Sequence, residues 1–109
     1  MTDRERRLAK NEALFRGVNE KVTAVKGELS DPGAPLEIVC ECGREDCLEQ
    51  VVVTLAEYER VRTAPTRFIV KQGHELNGVE RVVTRTGRFV VIEKDDGEAA
   101  IAREADPRR

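Results

Sequence analysis

Leu36-Glu37-Ile38-Val39-Cys40-Glu41-Cys42-Gly43-Arg44-Glu45-Asp46-Cys47-Leu48-Glu49-Gln50-Val51-Val52-Val53 holds every cysteine of the 109-residue chain. Its flanks, Leu36–Cys40 and Leu48–Val53, are short runs rich in apolar and β-branched residues, the pattern of strands. Successive side chains of an extended strand alternate faces, so Cys40 and Cys42 start out on one side. The chain must then turn back to bring Cys47 to the same point. Gly43 suits that turn because it accepts positive φ, and backbone N–H groups there can donate to the sulfurs. The stretch therefore predicts a cysteine knuckle between two strands.

Three clustered thiols in a reducing compartment favour metal binding over structural disulfides, and the odd count points the same way. Cys40, Cys42 and Cys47 leave one tetrahedral position. The only histidine, His74 of Gln72-Gly73-His74-Glu75, follows a predicted strand and sits on a loop that a sheet can hold over the turn. Three cysteines with one histidine are an accepted structural Zn2+ set. With 26 residues between Cys47 and His74, the metal would staple two distant parts of the chain, and a clip across a long loop removes more unfolded-chain freedom than a short one. Glu41, Glu45, Asp46 and a water are the rival fourth ligands, and with water the site would be open and reactive. The cysteines also have bland readings, as small apolar core residues or as a redox pair. A [2Fe-2S] cluster is not favoured: compared with the CDGSH iron–sulfur proteins, the third cysteine comes too soon and the histidine too late.

Outward from the knuckle, residues 1–29 read as one helix. Thr2-Asp3-Arg4-Glu5 has the form of a capping box, and Leu8, Phe15, Val18, Val22, Val25 and Leu29 recur at helical spacing. That stripe predicts either a helix laid on the chain's own sheet or a heptad-paired homodimer. Gly17 costs such a helix about 1 kcal/mol relative to alanine, so packing must offset it. Residues 30–35, Ser-Asp-Pro-Gly-Ala-Pro, form a linker. Thr54-Leu55-Ala56-Glu57 is a second capping box opening a helix to Arg62. Arg67–Lys71, Val79–Arg85 and Arg88–Lys94 read as strands, the last two flanking Thr86-Gly87 as a hairpin. Residues 36–94 thus make a zinc-stapled core. Residues 95–109 form a tail in which Glu98–Glu104 has one or two helical turns and Asp106–Arg109 is frayed.

Composition bounds the rest. The chain is long enough for one domain that buries about 65% of its unfolded surface, but three Phe, one Tyr and no Trp give that core few aromatics. With a net charge of −2 it lacks the basic excess of a nucleic-acid binder. Arg81, Arg85 and Arg88 near Phe68 and Phe89 are the one candidate for base stacking and phosphate contact, against a reading as charges that guard a sheet edge. No apolar run approaches the roughly 20 residues of a membrane span, and no signal-peptide block follows the charged N-terminus, which reads as cytoplasmic and soluble. Phosphate loops, H-E-x-x-H and the zinc-deaminase signature are missing. An enzyme is not expected.

Asn11-Glu12-Ala13-Leu14-Phe15-Arg16-Gly17-Val18-Asn19-Glu20, the Cys40–Cys47 cluster, Leu55–Arg62, and Pro65–Val70 leading to Gly73-His74-Glu75 together resemble a set of short bacterial proteins of unassigned function from GC-rich, actinobacterial-type genomes. The likeness covers nearly the whole chain. It implies that Cys40, Cys42, Cys47 and His74 belong to one site, and it lends no activity. Asparagines and glutamates of the N-E-x-x-F-R-x-x-N-E stretch lie partly off the apolar stripe, where a partner surface is conceivable.

The expectation is an α+β fold, a long N-terminal helix on a mostly antiparallel sheet of four or five strands with a zinc knuckle. Its expected role is that of a non-enzymatic interaction or regulatory module. The partner would be an unidentified protein or a second copy, met through the N-terminal helix. A zinc–thiol redox sensor and a weak nucleic-acid-binding regulator are the alternatives.

Overall fold

Alternation along the first two strands sets one wall of the core. In β1 (Pro35–Val39) and β2 (Gln50–Thr54) every second residue is buried. The antiparallel register places Leu36 opposite Val53 and Ile38 opposite Val51, so the buried side chains of both strands share a face. This computed structural model describes residues 2–29, 31–75 and 80–108. In chain order the remaining elements are α1 (Asp3–Leu29), α2 (Leu55–Val61), β3 (Arg67–Val70), β4 (Arg81–Arg85), β5 (Val90–Glu93) and α3 (Asp96–Glu104). The fold is α+β. Its five strands do not form one sheet, as the sequence suggested, but a two-stranded β1–β2 sheet and a three-stranded antiparallel sheet in the order β3–β5–β4. Of the hairpin's first predicted strand, Val79 lies outside the described residues, and so do Ser30 of the linker and the side chain of Leu29.

Local chemistry explains most boundaries. At the start of α2 the capping box is complete: Thr54 Oγ1 accepts from the Glu57 N–H at 3.1 Å while the Thr54 N–H donates to the Glu57 carboxylate at 2.8 Å. Thr2 Oγ1 likewise accepts from the Glu5 N–H. In the central strand β5, Val90, Val91 and Ile92 are all buried, as befits a strand covered on both faces. Edge strand β4 is largely exposed.

The expected apolar stripe of α1 is not its buried face: Leu8, Phe15 and Val22 reach only partial burial, and Val18 and Val25 are exposed. The buried residues are Ala9, Glu12, Ala13, Arg16, Asn19 and Thr23, whereas Leu14 is more than 60% exposed. The surface beneath the helix explains this, because it consists of strand ends and loops with unpaired backbone groups, which polar side chains must satisfy. The Asn19 amide spans both backbone groups of Val39, accepting from its N–H and donating to its carbonyl, each at 2.8 Å. Arg16 donates to the carbonyls of Pro65 and Ala102 and lies over the Phe68 ring, 4.5 Å from its centroid.

The helical turns expected over Glu98–Glu104 lie within α3, but Asp106–Arg108 are not the frayed end their composition suggests, and Arg109 lies outside the described residues. Helix α3 packs on α1 with Ala102 in the core. Buried Asp106 then pairs with Arg62, and Arg108 bridges Glu20 and Glu59. Removing one partner of a buried pair leaves an uncompensated charge. Asp106→Ala is expected to lower stability by about 3 kcal/mol, the low end for such a change because Glu20 still holds Arg62. Urea unfolding checks this as a drop in midpoint at unchanged slope.

Candidate metal centre

The knuckle forms where β1 runs out. Past Val39 the ladder continues for one more bond, Cys40 N–H to the Glu49 carbonyl at 3.1 Å, and the chain then breaks away through Glu41 and Cys42. At Gly43 it turns with φ +79°, returning Cys47 beside Cys40. A β-carbon at Gly43 would stand 2.7 Å from both the Leu8 carbonyl oxygen and Glu12 Cγ. Glycine is therefore required twice, for the left-handed backbone and for the close approach to α1.

His74 reaches the same point from the turn after β3, its N–H bonded to the Lys71 carbonyl at 3.0 Å. The ligand atoms of Cys40, Cys42, Cys47 and His74 all lie within 4.8 Å of one another. His74 Nδ1 is 3.6 Å from the Sγ of Cys40 and 3.6 Å from that of Cys47. A tetrahedral ion with Zn–S near 2.3 Å and Zn–N near 2.0–2.1 Å places such atoms about 3.6 Å apart. The four residues can thus hold a metal ion, with Nδ1 as the imidazole ligand. Of the rival fourth ligands, Glu45 and Asp46 are exposed, and the Glu41 carboxylate is bonded to Asn19 and Ile69.

The three sulfurs differ in their surroundings. The Lys71 N–H donates to Cys40 Sγ at 3.2 Å. Cys42 is the acidic member of the trio, lowered first by a hydrogen bond from the Cys40 thiol, with the Arg44 N–H and His74 contributing. Cys40, hydrogen-bonded to Cys42 and buried, is raised. Both are 2% exposed, whereas Cys47 is partly open to solvent.

Three polar attachments fix the loop. At one end Asn19 binds Val39, and at the other the Asn11 amide donates to the Gly43 carbonyl at 3.1 Å. Eight residues of helix span about 12 Å, close to the reach of the four-residue step from Val39 to Gly43 in extended form. Glu41 makes the third attachment and joins the two sheets. Its N–H donates to the Ile69 carbonyl at 2.9 Å, and its carboxylate accepts from the Ile69 N–H at 2.9 Å and from Asn19 at 2.8 Å. Complete burial pushes this carboxyl up to about 7. Beneath Gly43, Glu12 meets Lys94 at 2.6 Å, and Lys94 also pairs with Glu80, all three side chains being buried. Burial likewise holds the Glu12 carboxyl well above its ordinary range.

Asn11, Glu12, Asn19 and Lys94 are site-supporting residues that the sequence reading did not assign, and Glu41, weighed there as a fourth ligand, supports the loop instead. The visible signal for Asn11, Glu12 and Asn19 was the polar N-E-x-x-F-R-x-x-N-E stretch inside an otherwise apolar-periodic helix; Lys94 had none. The arginines expected on a nucleic-acid face are occupied, Arg81 by Glu93, Arg85 by Glu75 and Arg88 by Glu57, and Phe68 and Phe89 are buried. No helix among the described residues is long and apolar enough to cross a membrane. No protein-family model matches the chain, nor does any curated protein or solved structure.

Gly43→Ala combines a disfavoured backbone region with a backbone overlap, so it should cost at least about 2 kcal/mol and weaken metal uptake. Thermal unfolding and a competitive metal titration on the same samples check both parts; an unchanged melting temperature would refute the account of this turn.

Proposed function

We propose that the chain is a non-enzymatic zinc-binding module for protein interaction or regulation, in which Cys40, Cys42, Cys47 and His74 hold a structural Zn2+. The observation that carries this is the spacing of His74 Nδ1 to two cysteine sulfurs, 3.6 Å in each case, which fits one tetrahedral ion. A full shell of three thiolates and one imidazole leaves no open position for substrate or water, and catalytic zinc sites keep one. Mutual distances within 4.8 Å suit a single ion better than an iron–sulfur cluster, whose ligands divide between two irons.

Burial of Cys40 and Cys42 favours a structural role over a redox sensor, since oxidation tracks thiol exposure. Free thiolates for zinc require a reducing setting, which makes the cytoplasm the natural compartment. The contact surface in this reading is the outward face of α1, where the large exposed apolar side chains of the helix stand.

One zinc per chain is expected by native mass spectrometry and elemental analysis. His74→Ala should weaken zinc by more than the roughly 10–100-fold that loss of an outer-shell partner costs. Chelation should lower the melting temperature reversibly, because site formation is coupled to folding. A folded, metal-free wild type would overturn the proposal.

A further inference from the structure

The outward face of α1 carries a pattern that the chain's own packing does not use. Leu14, Gly17 and Val18 of α1 and Ile101, Ala105 and Pro107 of the C-terminal segment line a groove of about 600 Å³. Gly17 sits in the interior of a 27-residue helix, where glycine is the least favourable residue after proline. Packing within the chain does not require it, because a β-carbon built there meets nothing within 4 Å. The missing side chain leaves room in the groove for something else to approach the helix backbone.

Charge says what kind of occupant fits. Between residues 7 and 26 the exposed charged side chains of α1 are Arg7, Lys10, Lys21 and Lys26, with no exposed carboxylate among them. The two acids of that span are already engaged, Glu12 by Lys94 in the interior and Glu20 by Tyr58, Arg62 and Arg108. Lys10, Lys21 and the already paired Glu20 line the groove itself, so its uncompensated charges are the two lysines. A second copy docking symmetrically would set Lys10 and Lys21 against an identical pair of lysines.

We infer that the groove between α1 and the C-terminal segment binds an amphipathic helix from another protein, one with apolar anchors on one face and flanking carboxylates. The anchors would seat beside Leu14 and Val18 over Gly17, in the helix-in-groove mode, and the carboxylates would meet Lys10 and Lys21. The inference rests on the interaction-module reading and supplies its partner chemistry.

The test uses the full, zinc-loaded chain and two labelled helix-forming peptides of about 20 residues. Both carry leucines at three- and four-residue spacing; one has glutamate and its twin lysine at the flanking positions. Fluorescence anisotropy should show the glutamate peptide binding at least about tenfold more tightly than its twin, the gap narrowing with salt. Lys10→Glu with Lys21→Glu should reverse the preference. Gly17→Ala should raise the melting temperature by several degrees, while Gly17→Leu should abolish binding with zinc content and circular dichroism unchanged. Equal binding of the two peptides, no binding of either, or indifference to Gly17→Leu would overturn the inference while zinc loading still upheld the metal site. Self-association in sedimentation that Leu14→Asp abolishes would assign the groove to a second copy and overturn it equally. Loss of zinc from the wild type would instead strike the reading beneath it.

Discussion

Buried backbone groups need partners, and between Val39 and Gly43 the chain leaves its sheet while still inside the protein. Asn19, Asn11 and Glu41 answer that need, and each does so by tying the loop to another element. Asn19 and Asn11 fix it to α1, and Glu41 fixes it to β3 through Ile69. The two sheets, which share no strand, are thereby joined at the point where Cys40, Cys42, Cys47 and His74 meet. A metal ion there would close the same junction a second time, through His74.

Helix α1 is the counterpart of this arrangement. Its buried face is built from Glu12, Arg16, Asn19 and Thr23 among alanines, so apolar burial contributes little to its docking. The individual bonds are directional, and a helix turned by one residue would bury Arg16 or Glu12 without its partner. An isolated buried charge costs several kcal/mol even after relaxation. The polar face therefore selects one orientation sharply, although its net contribution to stability is modest compared with an apolar face of similar size.

The strands on either side of the cysteines were legible because β-branched runs and turn residues are local signals, and the α2 capping box because both of its hydrogen bonds lie within four residues. His74 was legible by elimination, being the one imidazole available to complete a set of three thiolates. The orientation of α1 was not. Periodicity arguments assume that apolar residues point inward, and here Val18 and Val25 of the stripe point out because the surface under the helix is polar backbone. Asp106 was misread for a related reason: a charged residue beside proline near the end of the sequence looks like tail, and its partner Arg62 is 44 positions away. The division into two sheets depends on pairings between distant strands, which no local pattern encodes.

The placement of Asn19 has a consequence for how copies of the chain behave in a crowded solution. A two-stranded sheet has two open edges, and an open edge is a template on which a strand from another molecule can add. At Val39 the side-chain amide of Asn19 already takes both backbone groups, bonding to the N–H and the carbonyl as an incoming strand would. A strand sliding along that edge meets a position already filled, with the body of a 27-residue helix behind it. The same amide that steadies the loop thus fills the place of an incoming strand at that end of the β1 edge.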